Sequence, residues 1–230
     1  MIAVIMSFVS CNLKNVDSSP NILFIMADDH TSQAWGIYSG LLDNYVKNDA
    51  IKYLEKNGTV LDNMFCTNSI CVPSRASILT GQYSHINGVY TLADNLNPDS
   101  LNVAKILQKN GYNTALIGKW HLKKEPSGFD YYKVLPGQGK YNNPVFKTKE
   151  NWEDGYKGGK QEPGFSADVI GNSTIEWLKK REKTEPFFLM THFKATHEPF
   201  DYPKRHNEFL KNTFIPEPES LYDFLPSNSG

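Results

Sequence analysis

The sequence predicts an α/β fold with a mostly parallel central sheet flanked by helices. Apolar, strand-like runs alternate with helical segments along the chain, as they do in strand–helix–strand units. The run over residues 22–27 is apolar without interruption, which is typical of a strand buried on both faces of a parallel sheet. With 230 residues, of which 40% are hydrophobic, the chain can form one buried core.

The first 81 residues are expected to contain two strands and two helices. The first strand ends abruptly at two aspartates. "NDAIKYLEKNG" predicts a helix with Asn48 or Asp49 as its cap and Gly58 as its stop. A short strand is expected over residues 60–65, and the second helix begins near Cys71.

The helix–strand scheme repeats in "NVAKILQKNGYNTALIGKWH". Asn102 caps the predicted helix, Gly111 stops it, and residues 114–117 form the strand. Residues 118–164 then become polar and rich in Gly, Pro, Asn, Tyr and Lys. This composition predicts a long insertion that serves as a substrate-side loop.

A third helix–strand pair follows the polar segment. "SADVIGNSTIEWLKKREK" predicts a helix with Ser166 as its cap and with Ile170, Ile175 and Leu178 as apolar positions. The strand "PFFLMTHF" comes directly after it. The alternation of helices and strands therefore continues through the chain.

The segment "CVPSRASILTG" carries a cysteine at the start of a predicted helix. Pro73 suits the first turn, and Gly81 supplies the C-terminal stop. Cys71 then lies near the N-cap, where unpaired N–H groups and the helix dipole attract anions. Arg75 lies one turn further on the same face. The segment predicts an anion cradle around the sulfur of Cys71.

Charged and polar side chains follow the predicted strands or open a helix, and the carboxyl ends of parallel strands are where ligands gather. They are Asp28, Asp29, Lys119, His121, His197, Cys71 and Arg75. Adjacent carboxylates repel each other unless a hard cation lies between them, which indicates calcium or magnesium. Together these groups predict a site for a tetrahedral oxyanion.

Each of these features also has an ordinary structural interpretation. An aspartate pair is commonly a turn or a helix cap, and a single cysteine is commonly a small buried side chain. "GKWH" is compatible with a surface turn, and His197 with a loop closure. We interpret His85 as structural and His192 as a packing residue.

The segment at Cys71 resembles the sulfatase signature C-x-P-S-R-A-x-x-L-T-G at every fixed position. The aspartate pair, "GKWH" and the His-x-Pro of "THEPF" also resemble that family, and the resemblance runs from Pro20 to the end. It implies an alkaline-phosphatase-like sulfatase fold, with residues 20–230 as the N-terminal portion of the catalytic domain. It also implies that a maturation enzyme oxidises Cys71 to formylglycine.

The same resemblance implies a role for each candidate residue. Calcium would be held by Asp28, Asp29 and the hydrated formylglycine at Cys71. Arg75 and Lys119 would hold the hydrate in place and stabilise the negative charge that develops during the reaction. The departing sugar oxygen would be protonated by His197, and a proton would be taken from the second hydroxyl of the hydrate by His121.

"GFDYYKVLPGQGKYNNPVF" resembles the equivalent part of sulfatases that act on sulfated glycans, most closely N-acetylglucosamine-6-sulfatases. The implied substrate is a sulfated glycan or monosaccharide. Two other interpretations stay open: a phosphoesterase or phosphonate hydrolase of the same superfamily, and a non-catalytic glycan-binding remnant. Family members complete the metal site with an Asp-Asn or Asp-His pair and a lysine further downstream, which we do not find here. We therefore expect a chain that is C-terminally truncated, either as a fragment of a longer protein or because the gene is truncated. If the chain is the whole protein, we expect weak calcium binding and little or no turnover.

The net charge of −1 gives no general field that would attract nucleic acid. The three cysteines, Cys11, Cys66 and Cys71, are too few for a disulfide scaffold. "MIAVIMSFVSC" resembles the end of a bacterial lipoprotein signal, with residues 1–19 as signal and polar tether; an apolar start to the first strand is the alternative. We expect a periplasmic or outer-membrane-anchored lipoprotein that touches the membrane only through a lipid on Cys11.

Overall fold

The computed structural model describes residues 19–222 except Ser39 and Lys47. The predicted signal, the polar tether and the lipid anchor at Cys11 lie outside the described residues. None of the helices in the described ranges is both long enough and apolar enough to cross a membrane.

The described chain alternates strands and helices, as predicted. The strands are β1 (Ile22–Met26), β2 (Asn113–Lys119), β3 (Tyr131–Leu135), β4 (Val145–Phe146), β5 (Lys160–Gln161) and β6 (Phe187–His192). The α-helices are α1 (Asp49–Asn57), α2 (Cys71–Thr80), α3 (Ser84–Asn87), α4 (Val103–Lys109) and α5 (Ser166–Lys180). Short 3-10 helices span Ser32–Ala34, Lys149–Asn151, Lys204–His206 and Glu219–Tyr222.

Four strands form the central sheet in the order β1-β6-β2-β3, and every neighbouring pair is parallel. The strands β4 and β5 form a separate antiparallel pair. The predicted α/β class with a mostly parallel central sheet is therefore confirmed.

Helices cover both faces of the middle of the sheet. On one face, Leu116 of β2 belongs to the same buried cluster as Val72 of α2 and Ala104 of α4. On the other face, Ile117 of β2 packs in a cluster with Ile170 of α5. Because side chains alternate along a strand, successive residues of β2 enter the two clusters in turn.

The expectation that the first strand is buried on both faces is wrong for the described chain. Leu23 is 44% exposed and Ile25 is 57% exposed, whereas their neighbours in β1 are half-buried. The strand lies at the edge of the sheet, and the face that carries Leu23 and Ile25 is open to solvent. An apolar run predicts that a strand can be buried, but the neighbouring elements decide whether it is.

The strand predicted over residues 60–65 is also wrong. This segment has no regular secondary structure, and Phe65 is 83% exposed. No described strand lies beside it, so its backbone has no ladder of hydrogen bonds to join.

Residues 118–164 are not one long substrate-side loop, as the composition predicted. They contain β3, which pairs with β2 in the central sheet, and the small β4–β5 pair. Tyr132, Val134 and Leu135 of β3 are buried. The polar residues on either side of "YYKVL" conceal this strand in the sequence.

The predicted helix caps agree with the structure at two helices and differ at the third. The side chain of Asn48 accepts a hydrogen bond from the Ile51 amide at 3.1 Å, and that of Asn102 accepts one from the Lys105 amide at 2.9 Å. In α5 the N-cap is Phe165, and Ser166 is already the first helical residue. The buried hydroxyl of Ser166 has no hydrogen-bond partner among the described residues, so it does not act as the predicted cap.

Candidate active site

Three strands of the sheet end side by side and deliver polar groups to one edge. Asp28 follows β1 by two residues, Lys119 is the last residue of β2, and His192 is the last residue of β6. His192 is in register with Met26 of β1, and with Gly118 of β2. The carboxyl ends of parallel strands thus meet where the sequence placed the ligand site.

Asp28 lies at the centre of a buried charge cluster. One carboxylate oxygen accepts a hydrogen bond from Arg75 Nη2 at 3.0 Å, and the other accepts one from Lys119 Nζ. All three side chains are buried. Burial alone raises the pKa of Asp28, but the two cations outweigh it and hold that pKa below its ordinary value of 3.8. The carboxylate is therefore charged at neutral pH.

Arg75 is fixed in place by backbone as well as by charge. Its Nη1 donates to the carbonyl of Lys119 at 2.8 Å and lies 3.3 Å from Nδ1 of His192. His192 Nδ1 also lies 3.1 Å from the Lys119 carbonyl. Burial, and then the Arg75 charge, lower the pKa of His192 to about 3, so this imidazole is neutral at ordinary pH.

Cys71 is the first residue of α2, with Ile70 as the N-cap. Its half-buried side chain lines a cavity of about 290 Å³ together with Asp28, Asp29 and Arg75. The amides of the first helical turn have no intrahelical acceptors, so they favour an anion here. The predicted anion cradle around the Cys71 sulfur is consistent with this placement.

His121 lies two residues beyond β2 in a left-handed conformation, with φ of 58°. It is buried, and its Nδ1 has no hydrogen-bond partner within the described part of the chain. Burial lowers its pKa to about 4, assisted by the charges of Lys119 and Arg75. A neutral imidazole with a free nitrogen can accept a proton at neutral pH.

His197 lies on the turn after β6 and faces the other aspartate. Its Nε2 is 3.7 Å from Oδ2 of Asp29, while its Nδ1 lies 2.9 Å from the Glu198 carbonyl. Because a carbonyl only accepts, Nδ1 is assigned as the donor of that bond. The amide of Thr196 donates to the Asp28 carbonyl at 2.6 Å, which joins this turn to the one after β1.

The structure therefore brings the predicted residues together at one edge of the sheet, although not all in direct contact. His85, interpreted as structural, is exposed and stacks on Tyr83 with ring centroids 5.8 Å apart. Sequence reasoning missed Gln138, whose amide oxygen accepts a hydrogen bond from Lys119 Nζ. It also treated His192 as packing only, although the histidine contacts Arg75.

Among the described residues, no group of three or more His, Cys, Asp or Glu side chains is arranged around a metal position. Asp28 and Asp29 nevertheless line the cavity as adjacent carboxylates. Calcium takes about six to eight oxygen ligands, and a carboxylate has lone pairs to spare when it also accepts hydrogen bonds. The pair therefore fits as part of a calcium site and needs further oxygen donors.

A buried Asp–Arg–Lys cluster and a helix N-terminus lie together at the carboxyl edge of the parallel sheet, which makes this an α/β protein with a polar site at its strand ends. The family model described as Sulfatase matches residues 20–219. The chain belongs to the sulfatase family, and its fold is that of the alkaline-phosphatase-like sulfatases.

Two curated relatives and one solved structure specify the comparison. The chain is 40% identical over 223 residues to an N-acetylglucosamine-6-O-sulfatase of Bacteroides thetaiotaomicron, covering 95% of this chain and 38% of that protein. It is 31% identical to an ulvan-active sulfatase of Formosa agariphila, covering 96% and 44%. A structure of BT4656 in complex with its substrate D-glucosamine-2-N,6-O-disulfate matches with a TM-score of 0.82 and 40% identity, covering 89% of this chain and 40% of that one. The chain thus spans about two-fifths of the length of these relatives.

Proposed function

We propose that this chain carries the nucleophile and the oxyanion-binding residues of an enzyme that hydrolyses sulfate esters on a glycan. The observation that carries the proposal is the buried Asp28–Arg75–Lys119 cluster beside Cys71 at the start of α2. A substrate of the N-acetylglucosamine 6-sulfate type is supported by the name of the relative that is 40% identical and by the sugar bound to BT4656.

The proposed nucleophile is formylglycine, made from Cys71 by a maturation enzyme. Once hydrated, the aldehyde would supply a hydroxyl as the nucleophile for the sulfur of the ester. Calcium bound by Asp28 and Asp29 would supply positive charge for the sulfate oxygens and would lower the pKa of the attacking hydroxyl. Arg75 and Lys119 would add fixed positive charge where negative charge develops.

Two histidines complete the proton transfers. As the bond from sulfur to the sugar oxygen breaks, His197 donates a proton to that oxygen. Both oxygens of the hydrate would lie on the Cβ of residue 71, so that one could carry the sulfate as an ester while the other remained a hydroxyl. His121, neutral at ordinary pH, takes the proton of the remaining hydroxyl, so that sulfate leaves and the aldehyde reforms.

Export and lipidation at Cys11 belong to the same proposal and rest on the lipoprotein-like first eleven residues. A glycan-degrading enzyme anchored in the periplasm or at the outer membrane would meet its polymer outside the cytoplasm. Mass analysis of the N-terminal peptide from the native host tests this part separately.

Release of inorganic sulfate from N-acetylglucosamine 6-sulfate tests the main proposal. The chain is made with a formylglycine-generating enzyme and assayed with calcium, and N-acetylglucosamine 6-phosphate serves as the matched phosphate ester. Because the chain spans about two-fifths of the relatives' length, we expect slow sulfate release. This release should be lost in Cys71→Ala and retained in the matched variant Cys66→Ala. Faster phosphate than sulfate release would support a phosphoesterase. Binding of the sulfated sugar without release would support a glycan-binding remnant.

A further inference from the structure

The turn after β6 carries His197 and is tied to itself by two backbone hydrogen bonds. The amide of His197 donates to the carbonyl of Lys194, and the amide of Phe200 donates to the carbonyl of His197, each at 3.1 Å. The first part of the turn is also joined to the turn after β1, because the Thr196 amide donates to the Asp28 carbonyl at 2.6 Å and the Asp28 amide donates to the Ala195 carbonyl at 2.9 Å. Side chains that contact the carbonyls of His197 and Glu198 then set how precisely the imidazole meets a substrate.

Tyr141 supplies one such contact from the segment between β3 and β4. Its hydroxyl donates to the carbonyl of His197 at 2.5 Å, so that this carbonyl accepts two hydrogen bonds. The ring is buried and stacks on Phe165, with centroids 5.4 Å apart and planes 19° apart. Burial raises the pKa of Tyr141 to about 12, so the hydroxyl keeps its proton and remains a donor at ordinary pH.

Lys194 supplies a second contact from within the turn. Its side chain is buried, and its Nζ donates to the Glu198 carbonyl at 3.3 Å. The same ammonium lies 4.6 Å from the centroid of the Tyr141 ring. Lys194 has no ion pair within 4.0 Å among the described residues. Burial lowers the pKa of Lys194, and the negative charges of Asp28, Asp201 and Asp29 act in the opposite direction. The ammonium is thus held by one carbonyl, one aromatic face and nearby negative charge.

We infer that Tyr141 and Lys194 are positioning residues that fix the turn on which His197 stands. The inference rests on the proposed role of His197 as the proton donor to the leaving sugar oxygen. Tyr141 holds the carbonyl of His197, and Lys194 holds the carbonyl of the next residue while resting on the tyrosine ring. Both residues act by setting the position of the imidazole, and they line a cavity of about 440 Å³ together with His197.

Leaving-group dependence separates this role from a general contribution to folding. A sugar alkoxide needs a proton as it leaves, whereas 4-nitrophenolate leaves without one. For Tyr141→Phe, we expect kcat on N-acetylglucosamine 6-sulfate to fall about 10-fold to 100-fold, the scale set by displacing a catalytic group. The kcat on 4-nitrophenyl sulfate should fall less than about 3-fold, because misplacing the proton donor costs that ester little.

Tyr132→Phe is the matched control, because Tyr132 is also buried and its hydroxyl contacts Glu125 Oε1 at 2.5 Å rather than the His197 turn. The Tyr132→Phe variant should lower kcat on the sugar sulfate and on 4-nitrophenyl sulfate equally, or leave both unchanged. Lys194→Met keeps the apolar stem and should show the same split as Tyr141→Phe. Equal losses on both esters in Tyr141→Phe and Lys194→Met would overturn the inference.

Amide hydrogen exchange distinguishes failure of the inference from failure of the proposed function. If the wild-type chain releases sulfate from neither ester, the proposed function fails. The contact between the Tyr141 hydroxyl and the His197 carbonyl is then tested by measuring hydrogen exchange of the Thr196 and Phe200 amides in Tyr141→Phe. Faster exchange confined to this turn supports the contact, and unchanged exchange overturns it.

Discussion

Replacing Asp28 by Asn should remove the charge that compensates two buried cations. The carboxylate accepts hydrogen bonds from Arg75 and Lys119, and all three side chains are buried. Breaking a buried ion pair by removing one partner costs about 3–5 kcal/mol, because the remaining charge is left without compensation. We expect Asp28→Asn to lower the free energy of unfolding by about that amount in calcium-free buffer.

The pH dependence of this loss follows from the lowered pKa of Asp28. A carboxyl group whose pKa is lower in the folded state stabilises the protein at pH values above its ordinary pKa of 3.8. That stability is lost as the pH falls through the folded value. The difference between wild type and Asp28→Asn should therefore be constant from about pH 5 to pH 8 and should shrink below about pH 4.

Urea unfolding followed by tryptophan fluorescence measures the effect, with Asp168→Asn as the matched control. Asp168 pairs with Arg205 at 2.7 and 2.8 Å, but both side chains are exposed to solvent. An exposed pair contributes little, so this variant should unfold close to the wild-type midpoint. A loss in Asp28→Asn no larger than the loss in Asp168→Asn would refute the buried charge cluster as the organising element of the site.

Two further predictions concern the residues around this cluster. Gly118→Ala should destabilise the protein and displace the end of β2, because an added Cβ would lie 1.9 Å from the His192 carbonyl oxygen at a φ of 108°. Gly171→Ala in α5 is its matched control, since a Cβ there meets nothing within 4 Å and should stabilise the helix by about 0.5–1 kcal/mol. Burial and the neighbouring cations lower the pKa of His121 from its ordinary 6.5 to about 4. As the pH falls, the imidazole is therefore protonated in the unfolded chain before it is protonated in the folded chain. Stability should therefore decrease between pH 6.5 and pH 4 less steeply in His121→Gln than in the wild type, and NMR titration of the His121 ring should not show its midpoint near 6.5.

The features that the sequence predicted correctly depend on local chemistry. The caps at Asn48 and Asn102 are side chains that satisfy amides three residues further on, so sequence spacing reveals them. The beginning of α2 follows from Pro73 in its first turn, and the end of the helix follows from Gly81, which has a φ of 66°. The mostly parallel sheet was predicted from the alternation of helix and strand signals along the chain.

The features that the sequence did not predict depend on tertiary neighbours. Residues 60–65 are apolar enough for a strand but have no described partner strand. The strand β3 was hidden because its sheet neighbour β2 lies more than ten residues earlier and polar turns flank it. The exposed face of β1 likewise reflects which elements pack beside it rather than its composition.

The sequence predicted which residues form the candidate site but not which of their atoms contact each other. Strand ends and the helix start placed Asp28, Lys119 and Cys71 at one edge, which the geometry matches. The supporting contacts of Gln138 and Tyr141 join segments far apart in the chain, so no local pattern could reveal them. The glycines on either side of Gln138 were the available hint, because they indicate a tight turn after a strand.

The mass of the tryptic peptide over residues 57–75 tests the central proposal most directly. The peptide contains both Cys66 and Cys71, so one cysteine serves as an internal reference for the other. In protein from its native host, we predict an aldehyde at position 71 and an alkylatable thiol at position 66. Intact thiols at both positions would contradict a formylglycine nucleophile and with it the proposed hydrolysis of sulfate esters.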